Sequence, residues 1–218
     1  SNVDGPGNRM AVFFQGCNFR CTYCHNSETI HLCNNCGECV KVCPVKALKK
    51  ENGIVKWDKK ICVDCDECIK TCRFFSSPKT EKYTVADLLK ETEKIKIFIQ
   101  GVTVSGGEAT LNAHFITEFF KEIKKMNLST FVDTNGGVDL SLREYKEFVE
   151  ATDKFMLDIK AWDYAEHEKL TGAGNENVIK NLKFLLKEDK MYEVRTVVNS
   201  MINAEETIIK TAEILKDY

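Results

Sequence analysis

The chain has 218 residues, with 31 Lys and Arg against 33 Asp and Glu, and a net charge of −2. That length allows one sizeable core with a small satellite, and so balanced a charge excludes nucleic acid or an anionic membrane as the main partner. No apolar run approaches the roughly 20 residues a bilayer requires, and no signal-peptide pattern opens the sequence, so a cytoplasmic protein is expected.

The first predicted element is AVFFQ (11–15), an apolar run read as a buried strand. It feeds directly into GCNFRCTYCHN (16–26), which carries Cys17, Cys21 and Cys24 at the spacing CxxxCxxC. A structural zinc or a closed iron–sulfur cubane takes four protein ligands. Three ligands leave one metal position open, and such a site is built for something to bind there.

All 11 cysteines lie between Cys17 and Cys72. An odd count argues against a complete disulfide framework, and short CxxC steps in a cytosolic-looking chain point to metal ligands. After the first three come two matching runs, CNNCGECVKVCP (Cys33, Cys36, Cys39, Cys43) and CVDCDECIKTC (Cys62, Cys65, Cys68, Cys72). Both read C-x2-C-x2-C-x3-C, the spacing of bacterial two-cluster ferredoxins, in which the fourth cysteine serves the other cluster. Cys33, Cys36, Cys39 and Cys72 are therefore assigned to one [4Fe–4S] cluster, and Cys62, Cys65, Cys68 and Cys43 to the other. Three cysteines and two sets of four account for all eleven. Two zinc sites are the alternative. Between the runs, GIVKWD (53–58) alternates like a short hairpin strand.

Beyond the cysteines the chain alternates helices and strands. TVADLLKETEKI (84–95) has a helical pattern with Thr84 as its cap. VTVS (102–105) is a strand running into a double glycine. NAHFITEFFKEIKKM (112–126) is an amphipathic helix with Phe115, Phe119, Ile123 and Met126 on one side. STFVDT (129–134) is a strand, LREYKEFVEA (142–151) a helix and KFMLDIK (154–160) a strand. Residues 177–188 are a helix, 192–199 a strand and 204–216 a helix. With the insert at 30–75 set aside, five strand–helix units remain, over residues 1–29 and 76–218. Such alternation gives an α/β fold with a parallel sheet, whose active site gathers at the carboxyl ends of the strands. The unusual chemistry lies there: the three-cysteine loop, then SGGE (105–108), DTNG (133–136) and DIK (158–160).

These motifs, with VDGPGNR (3–9) and FFQGCNFRCTYCHN (13–26), resemble the radical S-adenosylmethionine (SAM) superfamily and, within it, the glycyl radical enzyme activating enzymes with an inserted ferredoxin-like domain. The resemblance implies a partial (β/α)6 barrel in a monomer. It implies three [4Fe–4S] clusters, with SAM chelated by the fourth iron of the cluster on Cys17, Cys21 and Cys24. It also implies reductive cleavage of SAM to a 5′-deoxyadenosyl radical that takes a hydrogen from a backbone glycine of a partner glycyl radical enzyme. A ferredoxin or flavodoxin would be the electron donor.

Residue by residue, the resemblance implies that Tyr23 and His25 meet the adenine. The segment Gly106-Gly107-Glu108 binds the SAM amino group. Asp133, Thr134, Met156 and Asp158 match a monovalent cation site, and Asp158, Ile159 and Lys160 match SAM-contacting positions. Arg195 matches a further active-site position, and Asp4-Gly5-Pro6-Gly7 a loop near the partner's glycine. Each has a plainer reading. The glycine pair could be a tight turn, Asp133 and Asn135 turn or cap residues, Lys160 a solvated lysine and Arg195 an ion-pair partner. The insert's clusters could relay electrons, support the structure or form a docking surface. The resemblance also implies a missing sixth strand and helix. A non-catalytic electron-transfer module and a radical SAM enzyme acting on a small molecule remain as alternatives.

Overall fold

The computed structural model describes residues 3–218; residues 1 and 2 of the expected 1–29 segment lie outside the described residues. In chain order the elements are β1 (Arg9–Phe14), α1 (Glu38–Val42), β2 (Leu48–Glu51), β3 (Ile54–Trp57), α2 (Glu67–Lys70), α3 (Val85–Ile95) and β4 (Gly101–Gly106). They continue with α4 (Ala113–Lys125), β5 (Ser129–Thr134), α5 (Lys146–Ala151), β6 (Lys154–Asp158), α6 (Tyr164–Thr171), α7 (Glu176–Lys187), β7 (Met191–Arg195) and α8 (Ala204–Leu215).

Five strands form one sheet in the order β1-β4-β5-β6-β7, and every pairing is parallel. Their sequential order is that of a partial barrel, and it brings all five carboxyl ends to one edge. The expected strands are there with shifted bounds. The last ends at Arg195 rather than residue 199, because its partner β6 ends at Asp158, the final pair of that ladder.

Helix starts follow local chemistry. Thr84 forms a capping box: its Oγ1 accepts from Asp87 N at 3.2 Å and the Asp87 carboxylate accepts from Thr84 N at 2.9 Å. In α4, Phe119 and Ile123 are fully buried and Phe115 and Met126 pack at the margin, as the amphipathic pattern requires. They join Val102, Val104, Val132 and Phe155 in the main core between sheet and helices.

Helix α6 was not expected. Its sequence YAEHEKLT has no apolar stripe, and only His167, Leu170 and Thr171 are buried. It is held by Asp163, whose side chain caps Glu166 N at 2.9 Å, and by Gly172 in the left-handed region.

The DGPG segment lies across one face of the sheet. The Val3 carbonyl lies 3.4 Å from Arg195 Nη2, and the Asp4 carbonyl accepts from Thr103 Oγ1 at 2.6 Å. Arg9, only 2% exposed, donates to Thr103, Val102, Ser129 and Pro6 and lies 4.1 Å over the Phe131 ring. The five guanidinium N–H groups are thus matched by five acceptor contacts, which is what makes burial of this charge tolerable.

The insert is a separate small layer. β2 and β3 form the antiparallel hairpin, and Leu48, Cys39 and Cys68 form its core with Val40, Val55, Trp57 and Ile69. The sequence repeat is also a backbone repeat. Asn35 and Asp64 hold equivalent left-handed positions, as do Gly37 and Asp66, and Lys46 and Phe75. Gly37 and Asp66 each start the short helix that carries the third cysteine of its run.

Candidate active site

The three-cysteine loop leaves β1 and is fixed on both sides. Gly16 N and Cys17 N donate to Thr29 O and Ile30 O at 2.8 and 2.9 Å. Arg20 N and Thr22 N donate to Thr171 O and Leu170 O at 2.7 and 3.0 Å, so the end of α6 holds the middle of the loop. Phe19 anchors it in a second core with Leu157, Ile159, Val178 and Leu182, edge-on to the buried His167 ring at 5.4 Å.

The end of β4 explains the glycine pair. Gly106 has φ +119°, and a Cβ there would collide with the Phe14 backbone. A Cβ on Gly107 would collide with the carbonyls of Gly16 and Thr29. Gly107 N and Glu108 N donate to Phe14 O and Gly16 O at 2.9 and 2.8 Å, so this turn is clamped to the cysteine loop. Only glycine permits that approach.

Glu108 is 1% exposed. Its Oε1 accepts from Thr110 N, Thr110 Oγ1 and Thr134 Oγ1 at 3.0, 2.6 and 2.7 Å, and its Oε2 from Asn135 N at 2.8 Å. Burial pushes its carboxyl above the ordinary range against those donors. The side chain is thus a post between the ends of β4 and β5, and its four bonds are all internal.

Asn135 is 7% exposed. Its Nδ2 donates to Asn18 Oδ1 at 2.9 Å and approaches Cys17 Sγ at 3.6 Å, while Phe19 N donates to the same sulfur at 3.4 Å. Asn181 on α7 braces the loop behind it, donating to Gly136 O and Val138 O at 2.8 and 2.6 Å.

These parts surround one open cavity of about 220 Å3. Its wall includes Cys17, Cys21, Tyr23, Cys24 and His25 from the loop, Gly106, Gly107 and Glu108 at the end of β4, Asp133, Thr134 and Asn135 at the end of β5, and Asp158 and Lys160 at the end of β6. Four strand ends therefore do converge. Met156, Ile159 and Arg195 are not part of that wall. Met156 is fully buried with its sulfur 2.9 Å from Arg195 Nη2, Ile159 lies in the second core, and Arg195 lies 3.5 Å from Asp133. Their side chains support the wall and do not form it.

The charges are coupled. Lys160 Nζ donates to Asp158 Oδ2 at 2.6 Å and sits 5.8 Å from the Tyr23 ring. Burial alone would push the ammonium down, but the Asp158 carboxylate and Tyr23 hold it above its ordinary value. Burial, and then the Asp158 charge, push Asp133 up to about 6, against Arg195 and a 2.9 Å hydrogen bond from Ser105. Burial raises the Cys17 thiol and takes Cys21 to about 11 and the Tyr23 phenol to about 12. Tyr23 lines the cavity with a buried O–H that has no partner among the described residues. Half-buried thiols, an unpaired donor and a cationic lysine fit a bound metal group with an anionic ligand better than an empty cleft.

The insert has a donor set of its own. Cys43, Cys62, Cys65 and Cys68 line one small cavity with Trp57, whose buried indole N–H has no partner among the described residues, and Lys79. This is the crossed set in which the fourth cysteine of the first run joins three of the second. Among the described residues no three Cys, His, Asp or Glu side chains converge on one metal ion. Thiolates on different irons of a cubane stand farther apart than the ligands of one zinc.

Comparison with known proteins fits this geometry. The profile of the radical SAM superfamily matches residues 11–217. The chain belongs to the radical SAM superfamily. It is 32% identical over 200 residues to the pyruvate formate-lyase 1-activating enzyme of Escherichia coli strain K12, covering 90% of this chain and 63% of that enzyme. It is 33% identical over 229 residues to the trans-4-hydroxy-L-proline dehydratase activating enzyme of Clostridioides difficile, covering 98% of this chain and 75% of the relative. The chain thus spans less than two thirds of the E. coli enzyme. The crystal structure of Streptococcus suis SuiB shares the fold, with a TM-score of 0.59 and 14% identity over 95% of this chain and 36% of that one. No helix among the described residues is long and apolar enough to cross a membrane.

Sequence reasoning missed the parts that hold this radical SAM site together: α6, the Asn18–Asn135 pair on Cys17, the Glu108 post, and Ser105. Only Glu108 had a signal, as an acid directly after a glycine pair. Asn135 reads as an ordinary turn or cap residue until the fold sets it beside a sulfur.

Proposed function

We propose that this chain is the catalytic part of an activase that installs a radical on a backbone glycine of a partner glycyl radical enzyme. The observation that carries the reading is the convergence of Cys17, Cys21 and Cys24 with the Gly106–Gly107 turn, Asp158 and Lys160 on one cavity. On this reading the three thiolates hold three irons of a [4Fe–4S] cluster. A cluster held this way would have one iron open to SAM, and the pair would supply the one-electron radical chemistry that takes a hydrogen from the partner's glycine.

The chain's own residues bind and orient. Lys160, kept protonated beside Asp158, gives the cavity a fixed positive charge for an anionic group. The Gly106–Gly107 turn presents main chain where a side chain would block approach. Tyr23 and His25 form the aromatic side of the wall. Asp133 and Asp158 are the groups suited to a monovalent cation. The N–H groups of Phe19 and Asn135 point at Cys17 Sγ, and such bonds tune a cluster's potential. The insert, residues 30–75, would carry two further clusters that pass electrons from a ferredoxin or flavodoxin.

The test is low-temperature EPR on anaerobically reconstituted, reduced protein with and without SAM, beside iron analysis. A SAM-dependent change in one signal, lost in Cys21→Ala, is expected. Iron-loaded protein whose spectrum ignores SAM would refute the reading. Incubation with a candidate partner should then give a glycyl radical signal.

A further inference from the structure

The two halves of the insert match in backbone and differ in charge. In the first half two of the three left-handed positions, Asn35 and Gly37, are held by neutral residues. Asn35 accepts from Val55 N at 2.9 Å through Oδ1, and Gly37 has no side chain. Lys50 donates to Cys36 O at 3.1 Å and leans against Gly37. In the second half the equivalent positions are Asp64 and Asp66. Both carboxylates bind Lys79, the counterpart of Lys50, at 3.0 and 2.6 Å. Asp64 Oδ1 also lies 3.6 Å from Cys62 Sγ. Asn35, Gly37 and Lys50 thus sum to one positive charge and Asp64, Asp66 and Lys79 to one negative charge, while Lys46, Lys49 and Glu51 add one positive charge to the first half and Arg73 adds one to the second. Glu38 and Glu67, and Lys41 and Lys70, pair alike in both halves and cancel.

The halves also differ in position. His31 N donates to Phe75 O at 3.0 Å, closing the neck where the insert joins the barrel. Cys33 and Cys72, both assigned to the first cluster, flank that neck. That cluster is therefore the inner one, and the set on Cys43, Cys62, Cys65 and Cys68 is the outer one.

Reducing a cluster adds one negative charge, which nearby carboxylates oppose and ammonium groups favour. We infer that the outer cluster has a lower reduction potential than the inner one because Asp64 and Asp66 replace Asn35 and Gly37. An electron from an external one-electron donor then enters at the outer half and runs downhill toward the three-cysteine loop. The donor loses one electron, the outer cluster gains it and passes it to the inner cluster, and no bond or proton changes. The inference rests on the two-cluster reading of the insert.

The experiment is an EPR-monitored potentiometric titration of the reconstituted chain. Two insert steps are expected, biased about tenfold or more, which is about 59 mV for one electron. Cys65→Ala should remove the lower step and Cys36→Ala the higher. Asp64→Asn with Asp66→Gly, which copies the inner half, should raise only the lower step. Asn35→Asp with Gly37→Asp should lower only the higher one. A single shared potential, or removal of the higher step by Cys65→Ala, would overturn the asymmetry while leaving the two clusters in place. Iron and sulfide analysis distinguishes the other failure: metal sufficient only for the three-cysteine site would overturn the two-cluster reading and the inference with it.

Discussion

Glu108 offers the sharpest test of how the site is held. Glu108→Ala removes the acceptor for four donors. The Thr110 and Thr134 hydroxyls can turn to other acceptors, but the N–H groups of Thr110 and Asn135 cannot. Each stranded buried N–H costs about 1–3 kcal/mol, and relief of the desolvated carboxylate offsets part of that. A net loss of about 3 kcal/mol follows. Glu108→Gln keeps the shape and the oxygen that serves three donors, but sets an NH2 against Asn135 N, for a loss of about 1–2 kcal/mol. At about 2–4 °C per kcal/mol for a domain of this size, anaerobic thermal unfolding should rank wild type above Gln and Gln above Ala. The Ala variant should melt roughly 6–12 °C low. Because Asn135 N is one of the stranded groups, the variant should also alter the EPR signal of the cluster on Cys17. An Ala variant within about 2 °C of wild type would refute the role of Glu108 as a post.

Three further outcomes are expected. Asp133 titrates near 6 in the fold, above its ordinary 3.8. The folded state therefore holds the extra proton, and stability rises as pH falls through about 6 toward 4 and is lost above 6. Asp133→Asn should be more stable than wild type above pH 6 by at most about 3 kcal/mol, with the gap closing toward pH 4 in melts across that range; a constant gap would count against the raised value. Gly107→Ala would drive a methyl into the Gly16 and Thr29 carbonyls, so iron bound at the three-cysteine site should fall sharply while the insert's iron is retained, as iron analysis with EPR would show. Asn135→Ala removes an N–H donor from Cys17 Sγ; the midpoint potential of that cluster should drop, and an unchanged potentiometric titration would show that this contact does not tune it.

The sequence by itself determined the elements and the chemistry they carry. Cysteine spacing is a local property, so the three-ligand loop and the paired runs were readable directly, as was the strand–helix alternation that sends four motifs to one sheet edge. Periodicity works because neighbours in sequence share a face of the same helix or strand. It failed for α6, where YAEHEKLT buries only three residues and is fixed by a cap and a glycine instead of an apolar stripe. What the tertiary structure decided were pairings between distant residues: Asn135 with Cys17 across 118 positions, Glu108 with Asn135 across 27, and Arg9 with Ser129 across 120. No local pattern encodes these, because each depends on how strands stack and loops fold back. The same holds for the cavity wall. Sequence alone put Met156, Ile159 and Arg195 beside Asp158 and Lys160, and only packing left the last two lining the cavity while Met156 and Ile159 are buried and Arg195 is engaged with Asp133.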